Sequence, residues 1–151
     1  MPKSVFRNLV TLAVVLCFFV SPAAALEKQA EYTNPAVGGK KTASYWLDRG
    51  GLLATYGNYK AAVAAYTKAL KLDATLSHAH FDLGVAYGEM ADFDQALREI
   101  NAAIELSPGI AEYYYGRARV LLLAGQRSRA MADFRKAADM GDPDAEDYLS
   151  R

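Results

Sequence analysis

Residues 77–110 read SHAHFDLGVAYGEMADFDQALREINAAIELSPGI, and this 34-residue unit occurs three times in succession. The other copies are residues 43–76 and 111–144, and their landmark positions return in register. The recurring positions are Gly50, Gly84 and Ala118; Gly57, Ala91 and Gly125; Ala62, Ala96 and Ala130; Tyr66, Ile100 and Phe134; and Ala69, Ala103 and Ala137. Self-similarity at a period of roughly 20–50 residues is typical of stacked supersecondary units.

Each unit contains two segments in which small and apolar residues keep a helical spacing, separated by a break such as Gly57-Asn58. The predicted fold class is therefore all-α, a stack of helical hairpins. The expected helices cover residues 44–56, 60–72, 78–90, 94–106, 112–124 and 128–140. Asp92, Asp94 and Ser128 are expected N-caps, because their short side chains can accept hydrogen bonds from free first-turn amides.

The columns of small residues have a packing purpose. Alanine at positions 62, 96 and 130 on the second helices would let the two helices of a hairpin approach closely. Bulky residues such as Tyr66 and Phe134 would fill the space between hairpins, where aromatic side chains bury large areas.

Residues 1–25 have the features of a secretory signal peptide. Lys3 and Arg7 precede an unbroken apolar run over residues 9–20, and small residues lead to a cleavage position after Ala25. The alternative is an uncleaved anchor, although the apolar run is shorter than the roughly 20 residues that span a bilayer. The protein is therefore expected to be exported, periplasmic or secreted, with a membrane-anchored form as the alternative. Membrane contact would occur only through an uncleaved signal segment.

Residues 26–42 are predicted to form a flexible lead-in, because Asn34-Pro35 and Gly38-Gly39 interrupt a stretch with little apolar periodicity. The only cysteine, Cys17, lies inside the signal segment, so the mature chain could form no internal disulfide. Removing Lys3 and Arg7 leaves 15 basic against 17 acidic residues, a net charge of 15 − 17 = −2. No basic stripe stands out, which argues against a nucleic-acid partner.

The repeat columns resemble the tetratricopeptide repeat. That family has a bulky residue at its fourth place, Gly or Ala at its eighth, and an aromatic or aliphatic residue at its eleventh. This chain supplies Trp46, His80 and Tyr114; then Gly50, Gly84 and Ala118; then Leu53, Tyr87 and Leu121. Pro108 stands in the family's proline place, and the resemblance covers residues 43–144.

The resemblance implies a right-handed superhelix of about seven helices, whose first helices line a concave groove that receives an extended peptide or a partner helix. Side chains at i, i+4 and i+7 of each first helix share one face, and by resemblance that face lines the groove. The groove residues expected on this basis are Leu47, Gly51, Phe81, Val85, Tyr115, Arg119 and Leu122, with Glu89 at the margin of the groove.

The predicted groove lacks the carboxylate clamp of the chaperone-binding members of the family. Their basic and asparagine-rich set is replaced here by Leu47, Gly51, Phe81 and Val85. The remaining cation is Arg119, so the expected ligand is an apolar or aromatic-bearing protein segment with one acidic group. We expect Phe81→Glu and Arg119→Glu to abolish binding while leaving helicity intact.

The sequence indicates a non-catalytic scaffold that needs no cofactor and no metal. No nucleophile motif, phosphate loop or paired-carboxylate constellation is recognisable. His78 and His80 lie two apart on a helix and point to different faces, so His80 is expected to pack at the hairpin seam. Arg117 and Asp133 lie at matching heights of one hairpin and are expected to form an ion pair, the alternative being two independent surface charges.

The end of the stack supports a second hypothesis. Repeat arrays need a polar terminal cap, and residues 145–151 are expected to supply only a short capping turn in which Tyr148 partly covers the surroundings of Phe134. An incomplete cap would favour a structural subunit that self-associates as a homo-oligomer or joins an envelope assembly. Sedimentation would separate this hypothesis from a monomeric scaffold.

Overall fold

The computed structural model describes residues 41–151, and within that range it contains seven α-helices and no strand. The helices are α1 (Ala43–Thr55), α2 (Tyr59–Leu72), α3 (Ser77–Glu89), α4 (Phe93–Leu106), α5 (Ala111–Leu123), α6 (Arg127–Asp139) and α7 (Pro143–Ser150). The expected all-α class is confirmed. The predicted signal peptide over residues 1–25 and residues 26–40 of the predicted lead-in lie outside the described residues.

The first six helices begin one residue earlier than predicted. Thr42, assigned to the lead-in, caps α1 by accepting a hydrogen bond from the Tyr45 amide at 3.2 Å. Asp92 caps α4 as expected, with the Gln95 amide 3.3 Å from its Oδ1. Asp94 and Ser128 are not N-caps but lie in the first turns of α4 and α6.

Helices α1 and α2, α3 and α4, and α5 and α6 form three antiparallel hairpins that stack in chain order. The seam alanines Ala62, Ala96 and Ala130 have no exposed surface, which confirms their expected role. The two helices of the second hairpin approach closely at Gly84, where a Cβ would come within 2.6 Å of Ile100 and 2.9 Å of the Ala96 carbonyl oxygen. A bulky residue at these seam positions would separate the two helices.

The turn inside each hairpin uses a left-handed residue at the same repeat position. Gly57, Ala91 and Gly125 have φ of 72°, 60° and 75°. The following amide donates back across the helix end, as in Asn58 N–H to Leu53 O at 2.9 Å. This is the hydrogen bond of a Schellman cap, which satisfies helix carbonyls that would otherwise lack a donor.

The last helix covers the C-terminal end of the stack more fully than a short turn would. α7 begins at Pro143 and extends for eight residues, with Asp142 as its N-cap accepting from the Ala145 amide at 2.9 Å. Tyr148 stacks on Phe134 with 4.1 Å between ring centroids, and Phe134 is only 1% exposed. The prediction that this segment would cover Phe134 only in part was wrong, because the helix extends for two turns and places Tyr148 on the Phe134 ring.

The outer face of α1 differs from the matching faces of α3 and α5. Leu52, Ala86 and Val120 occupy one repeat position, yet Leu52 is 46% exposed while Ala86 and Val120 are 1% and 5% exposed. In the second and third repeats this face packs on the preceding hairpin. The face of α1 therefore presents Leu52 and Tyr56 to the surface of the described part of the chain.

Between residues 41 and 151, no helix has the length and apolar character that crossing a membrane requires.

Candidate protein-binding groove

An open cavity of about 400 Å³ lies between α3, α5 and the start of α7. We call it the groove. Its lining residues are Phe81, Asp82, Val85, Gly88, Glu89, Glu112, Tyr115, Gly116, Arg119, Val120, Leu123, Asp142 and Asp144. The first helices of the second and third repeats thus form its walls, as the resemblance implied, and the N-terminal end of α7 closes one side.

Two glycines allow α3 and α5 to approach each other at the base of the groove. A Cβ on Gly116 would come within 2.4 Å of the Phe81 ring, and a Cβ on Gly88 would come within 3.1 Å of Val120. Because the Phe81 ring is buried, Gly116 is needed for packing between the helices, whereas a side chain at Gly88 would require Val120 to shift by a few tenths of an ångström.

Five of the eight residues expected in the groove line it, namely Phe81, Val85, Glu89, Tyr115 and Arg119. The other three lie outside its lining. Leu122 packs in the apolar cluster around Phe134, and Leu47 packs against the core of the first hairpin. Gly51 lies on α1, where its nearest neighbour would be the Tyr66 hydroxyl at 4.0 Å from an added Cβ.

Phe81 is a core residue as well as part of the groove floor. It is 6% exposed, and its ring stacks on Tyr113 with centroids 4.8 Å apart. Placing a carboxylate there would bury a charge without a partner, which costs several kcal/mol in folding free energy (roughly 2–7 even for neutral polar groups). The expectation that Phe81→Glu would leave helicity intact is therefore not consistent with the packing.

The three consecutive tyrosines have three different environments. Tyr113 is buried, and its hydroxyl lies 3.2 Å from Ser77 Oγ. Tyr114 donates to the Pro108 carbonyl at 3.2 Å, on the other side of the helix. Tyr115 lines the groove and packs edge-on to Phe134 at 5.6 Å, so it is the tyrosine that a ligand could contact.

The charge of the groove is opposite to what Arg119 alone suggested. Five carboxylates line it, from Asp82, Glu89, Glu112, Asp142 and Asp144, against one guanidinium, so its formal charge is −4. The expected preference for an acidic group on the ligand does not fit this surface. Asp82 and Glu112 lie outside the predicted groove face of α3 and α5, and the sequence gives no indication that Asp142 and Asp144 lie beside these helices.

Asp82 carries its charge in an unfavourable position. Its side chain is 25% exposed, and the imidazole Nε2 of His78 lies 3.8 Å from its Oδ2. Burial raises the pKa of Asp82, the neighbouring carboxylate of Glu112 raises it further, and His78 opposes the shift. A cation placed in the groove would stabilise the ionised form of this carboxyl.

The histidines are accounted for by local contacts. His80 Nδ1 lies 2.7 Å from Glu99 Oε2, and its Nε2 lies 3.3 Å from the Ala74 carbonyl oxygen, so both ring nitrogens are engaged at the hairpin seam. Within residues 41–151 no three His, Cys, Asp or Glu side chains are grouped so that they could hold a metal ion.

The chain is similar to known repeat proteins in sequence and in fold. Two family models match, one for the tetratricopeptide repeat over residues 81–145 and one for the TPR repeat over residues 53–90. A tetratricopeptide repeat and J domain-containing co-chaperone of Cryptococcus neoformans var. grubii is 29% identical over 79 residues, which are 52% of this chain. The chain spans only 15% of the length of that co-chaperone.

Two solved structures superpose with a TM-score of 0.68 and cover 74% of this chain. YrrB, described as a TPR protein with an unusual peptide-binding site, is 22% identical, and 58% of its chain is covered. The first TPR of Spaghetti, bound to the HSP90 peptide SRMEEVD, is 19% identical, and 90% of its chain is covered. A third structure, MamA, has a TM-score of 0.63 and 24% identity over 70% of this chain and 62% of its own.

At these identities the structural likeness establishes the hairpin stack alone. The two family matches together extend from residue 53 to residue 145, and the repeat columns stand in register throughout that range. The chain belongs to the tetratricopeptide repeat family.

Proposed function

We propose that this protein is a protein–protein interaction scaffold, and that it binds a peptide or helical segment of a partner protein in the groove between α3, α5 and α7. The observation that carries the proposal is the open cavity of about 400 Å³, which can accept a few side chains of an incoming segment. YrrB and Spaghetti, which share the fold, are described with a peptide-binding site and a bound peptide.

The contact residues we propose are Val85, Glu89, Tyr115, Arg119 and Leu123. All five line the groove, and Leu123 is 63% exposed, so its apolar surface is available to a ligand. Apolar surface of this kind contributes most of the binding free energy when a partner covers it. Phe81 shapes the floor of the groove from within the core.

We further propose that the scaffold is non-catalytic and exported. The export proposal is supported by the two cations and the apolar run within residues 1–25, and it extends to a periplasmic or secreted location.

Site-specific photocrosslinking tests the groove. Full-length chain carrying p-benzoylphenylalanine in place of Leu123 should form a covalent adduct with the partner in its native cells. Leu106 is the matched control, because it is also an exposed leucine near the end of a helix, at 44% exposure, but lies on α4 outside the groove lining. Equal adducts from both positions, or adducts only from Leu106, would place the partner elsewhere.

Self-association remains the second candidate, and the structure changes where it would occur. α7 covers Phe134 at the C-terminal end, whereas the outer face of α1 exposes Leu52 and Tyr56. A symmetric contact between two copies would use this α1 face. Sedimentation of the full chain and of its Leu52→Arg/Tyr56→Arg variant tests self-association through this face. A wild-type chain that is monomeric at all concentrations would rule out self-association.

A further inference from the structure

We propose that the segment bound in the groove is cationic, with a lysine or arginine side chain next to an apolar one. This inference rests on the proposed function and names the chemical class of the partner. It reverses the charge that the sequence alone predicted for the ligand.

The negative charge of the groove comes from carboxylates on several helices. The five carboxylates come from three separate helices: Asp82 and Glu89 from α3, Glu112 from α5, and Asp142 and Asp144 from the start of α7. Three of them, Glu89, Glu112 and Asp144, are exposed, and none of these three forms an ion pair within residues 41–151. Their charge is therefore available to a ligand.

The concave shape of the groove strengthens the effect of its negative charge. A cleft lined by one sign of charge focuses the electrostatic field and concentrates ions of the opposite sign. Phosphate groups of a nucleic acid or an anionic membrane would meet repulsion here. A basic segment of a protein would gain attraction on approach and contact the carboxylates once bound.

The groove also has an apolar part. Val85, Tyr115, Val120 and Leu123 lie beside the carboxylates. A lysine or arginine side chain has an aliphatic stem that packs on apolar surface while its charged end remains near solvent. The groove offers both kinds of surface side by side, and this combination suits a basic side chain with an apolar neighbour.

The effect of neutralising Arg119 distinguishes a cationic ligand from an acidic one. It is the one basic side chain in the lining, and it is exposed. If the ligand is cationic, Arg119 repels it, so neutralising Arg119 should tighten binding. If the ligand carries an acidic group, the same change should weaken binding.

The test is selection of a randomised dodecapeptide display library against the full-length chain. Selected peptides are then synthesised, and their dissociation constants are measured by fluorescence anisotropy at low and physiological salt. The variants are Glu89→Gln/Glu112→Gln, in which both changes are isosteric and exposed, and Arg119→Gln. Glu105→Gln on α4 is the matched control, since Glu105 is exposed but lies outside the groove lining.

The expected result is enrichment of Lys and Arg, with binding that weakens as salt screens the charges. The double glutamine variant should bind selected peptides roughly 3- to 10-fold more weakly, because it removes two exposed carboxylates, each of which contributes modestly to binding. Arg119→Gln should bind more tightly, and Glu105→Gln should be unchanged.

The failures are distinguishable. Peptides that crosslink to position 123 but are neutral or acidic, or that bind more weakly to Arg119→Gln, would overturn the cationic inference and leave the scaffold proposal standing. Selected peptides that all crosslink outside the groove, or no selected peptide at all, would overturn both. Circular dichroism of each variant confirms that helicity is retained.

Discussion

Arg117 and Asp133 form a two-pronged ion pair between α5 and α6, with Nε 2.7 Å from Oδ2 and the second guanidinium nitrogen 2.8 Å from Oδ1. A third nitrogen donates to Asn101 Oδ1 on α4 at 2.7 Å, so the pair links two hairpins. Hydrogen bonding to Asp133 raises the pKa of Arg117. The expected ion pair is confirmed, whereas the contact with the neighbouring hairpin was not foreseen.

Removing Asp133 should strongly destabilise the stack. Asp133→Ala leaves a guanidinium that is only 22% exposed without its counter-ion. We expect a loss of about 3 kcal/mol in the free energy of unfolding, the lower end of the range for broken buried pairs. Urea denaturation measures it.

The double variant Arg117→Met/Asp133→Leu provides the control, because replacing a buried pair by apolar residues of similar volume is often neutral or stabilising. If the Asp133→Ala variant were as stable as the wild-type protein, the ion pair would contribute no net stability.

Alanine at the two adjacent glycines of α1 should have opposite effects. A Cβ on Gly50 would lie 2.4 Å from the buried Tyr66 ring, while a Cβ on Gly51 would have no neighbour closer than 4.0 Å. Gly50→Ala should cost about 1–2 kcal/mol, since overpacking outweighs the gain in helix propensity. Gly51→Ala should raise stability by up to about 1 kcal/mol. Paired urea denaturation curves decide, and two changes of the same sign would contradict the packing.

The left-handed turn residue of the second hairpin should prefer glycine. Ala91 has a φ of 60°, and its counterparts in the other two repeats are Gly57 and Gly125. A left-handed conformation costs a residue with a Cβ roughly 1–2 kcal/mol in the folded state. Glycine avoids this cost, but it loses more conformational entropy on folding, which offsets part of the gain. Ala91→Gly should therefore raise the free energy of unfolding by roughly 0.5–1 kcal/mol, and Gly57→Ala should lower it. Thermal unfolding of both variants is the measurement, and a less stable Ala91→Gly variant would disprove the prediction.

Asp82 should make stability fall as pH rises from acidic values. Its folded-state pKa lies above the ordinary value of 3.8, mainly because of burial. The native state therefore holds a proton that the unfolded state releases, and stability decreases through the interval between the two pKa values. Asp82→Asn removes this contribution.

The thermal midpoint of Asp82→Asn should accordingly exceed that of the wild-type protein at about pH 7, and the difference should disappear below pH 3.8. A difference that stays constant over this range would mean that the substituted amide acts through packing and not through the loss of charge.

Most of the local structure could be predicted from the sequence because it depends on short-range chemistry. The 34-residue period placed all six helices of the hairpins to within one residue, and the alanine columns at 62, 96 and 130 were correctly assigned to closed seams. The helix caps were predicted only in part, since Asp92 is a cap whereas Asp94 and Ser128 are not. Asp94 and Ser128 have suitable side chains, but cap geometry depends on where the preceding turn leaves the backbone.

The candidate site was predictable only in part. Helical periodicity indicated which side chains of α3 and α5 share a face, and the resemblance to the tetratricopeptide repeat assigned Val85, Glu89, Tyr115 and Arg119 to the groove. Neither could distinguish Phe81, which packs under Gly116, from a side chain open to a ligand. That distinction depends on the position of a residue 35 positions later in the chain.

The hairpin stack could be predicted from the repeated columns of small and bulky residues, because these columns favour close packing of neighbouring helices. The charge of the groove depends on tertiary structure. Asp82, Glu112 and Asp144 lie far apart in sequence, and the packing of α7 on α6 must bring the start of α7 beside the groove before their fields add. Helix formation depends on neighbours three and four residues apart, whereas an electrostatic surface depends on distance in space.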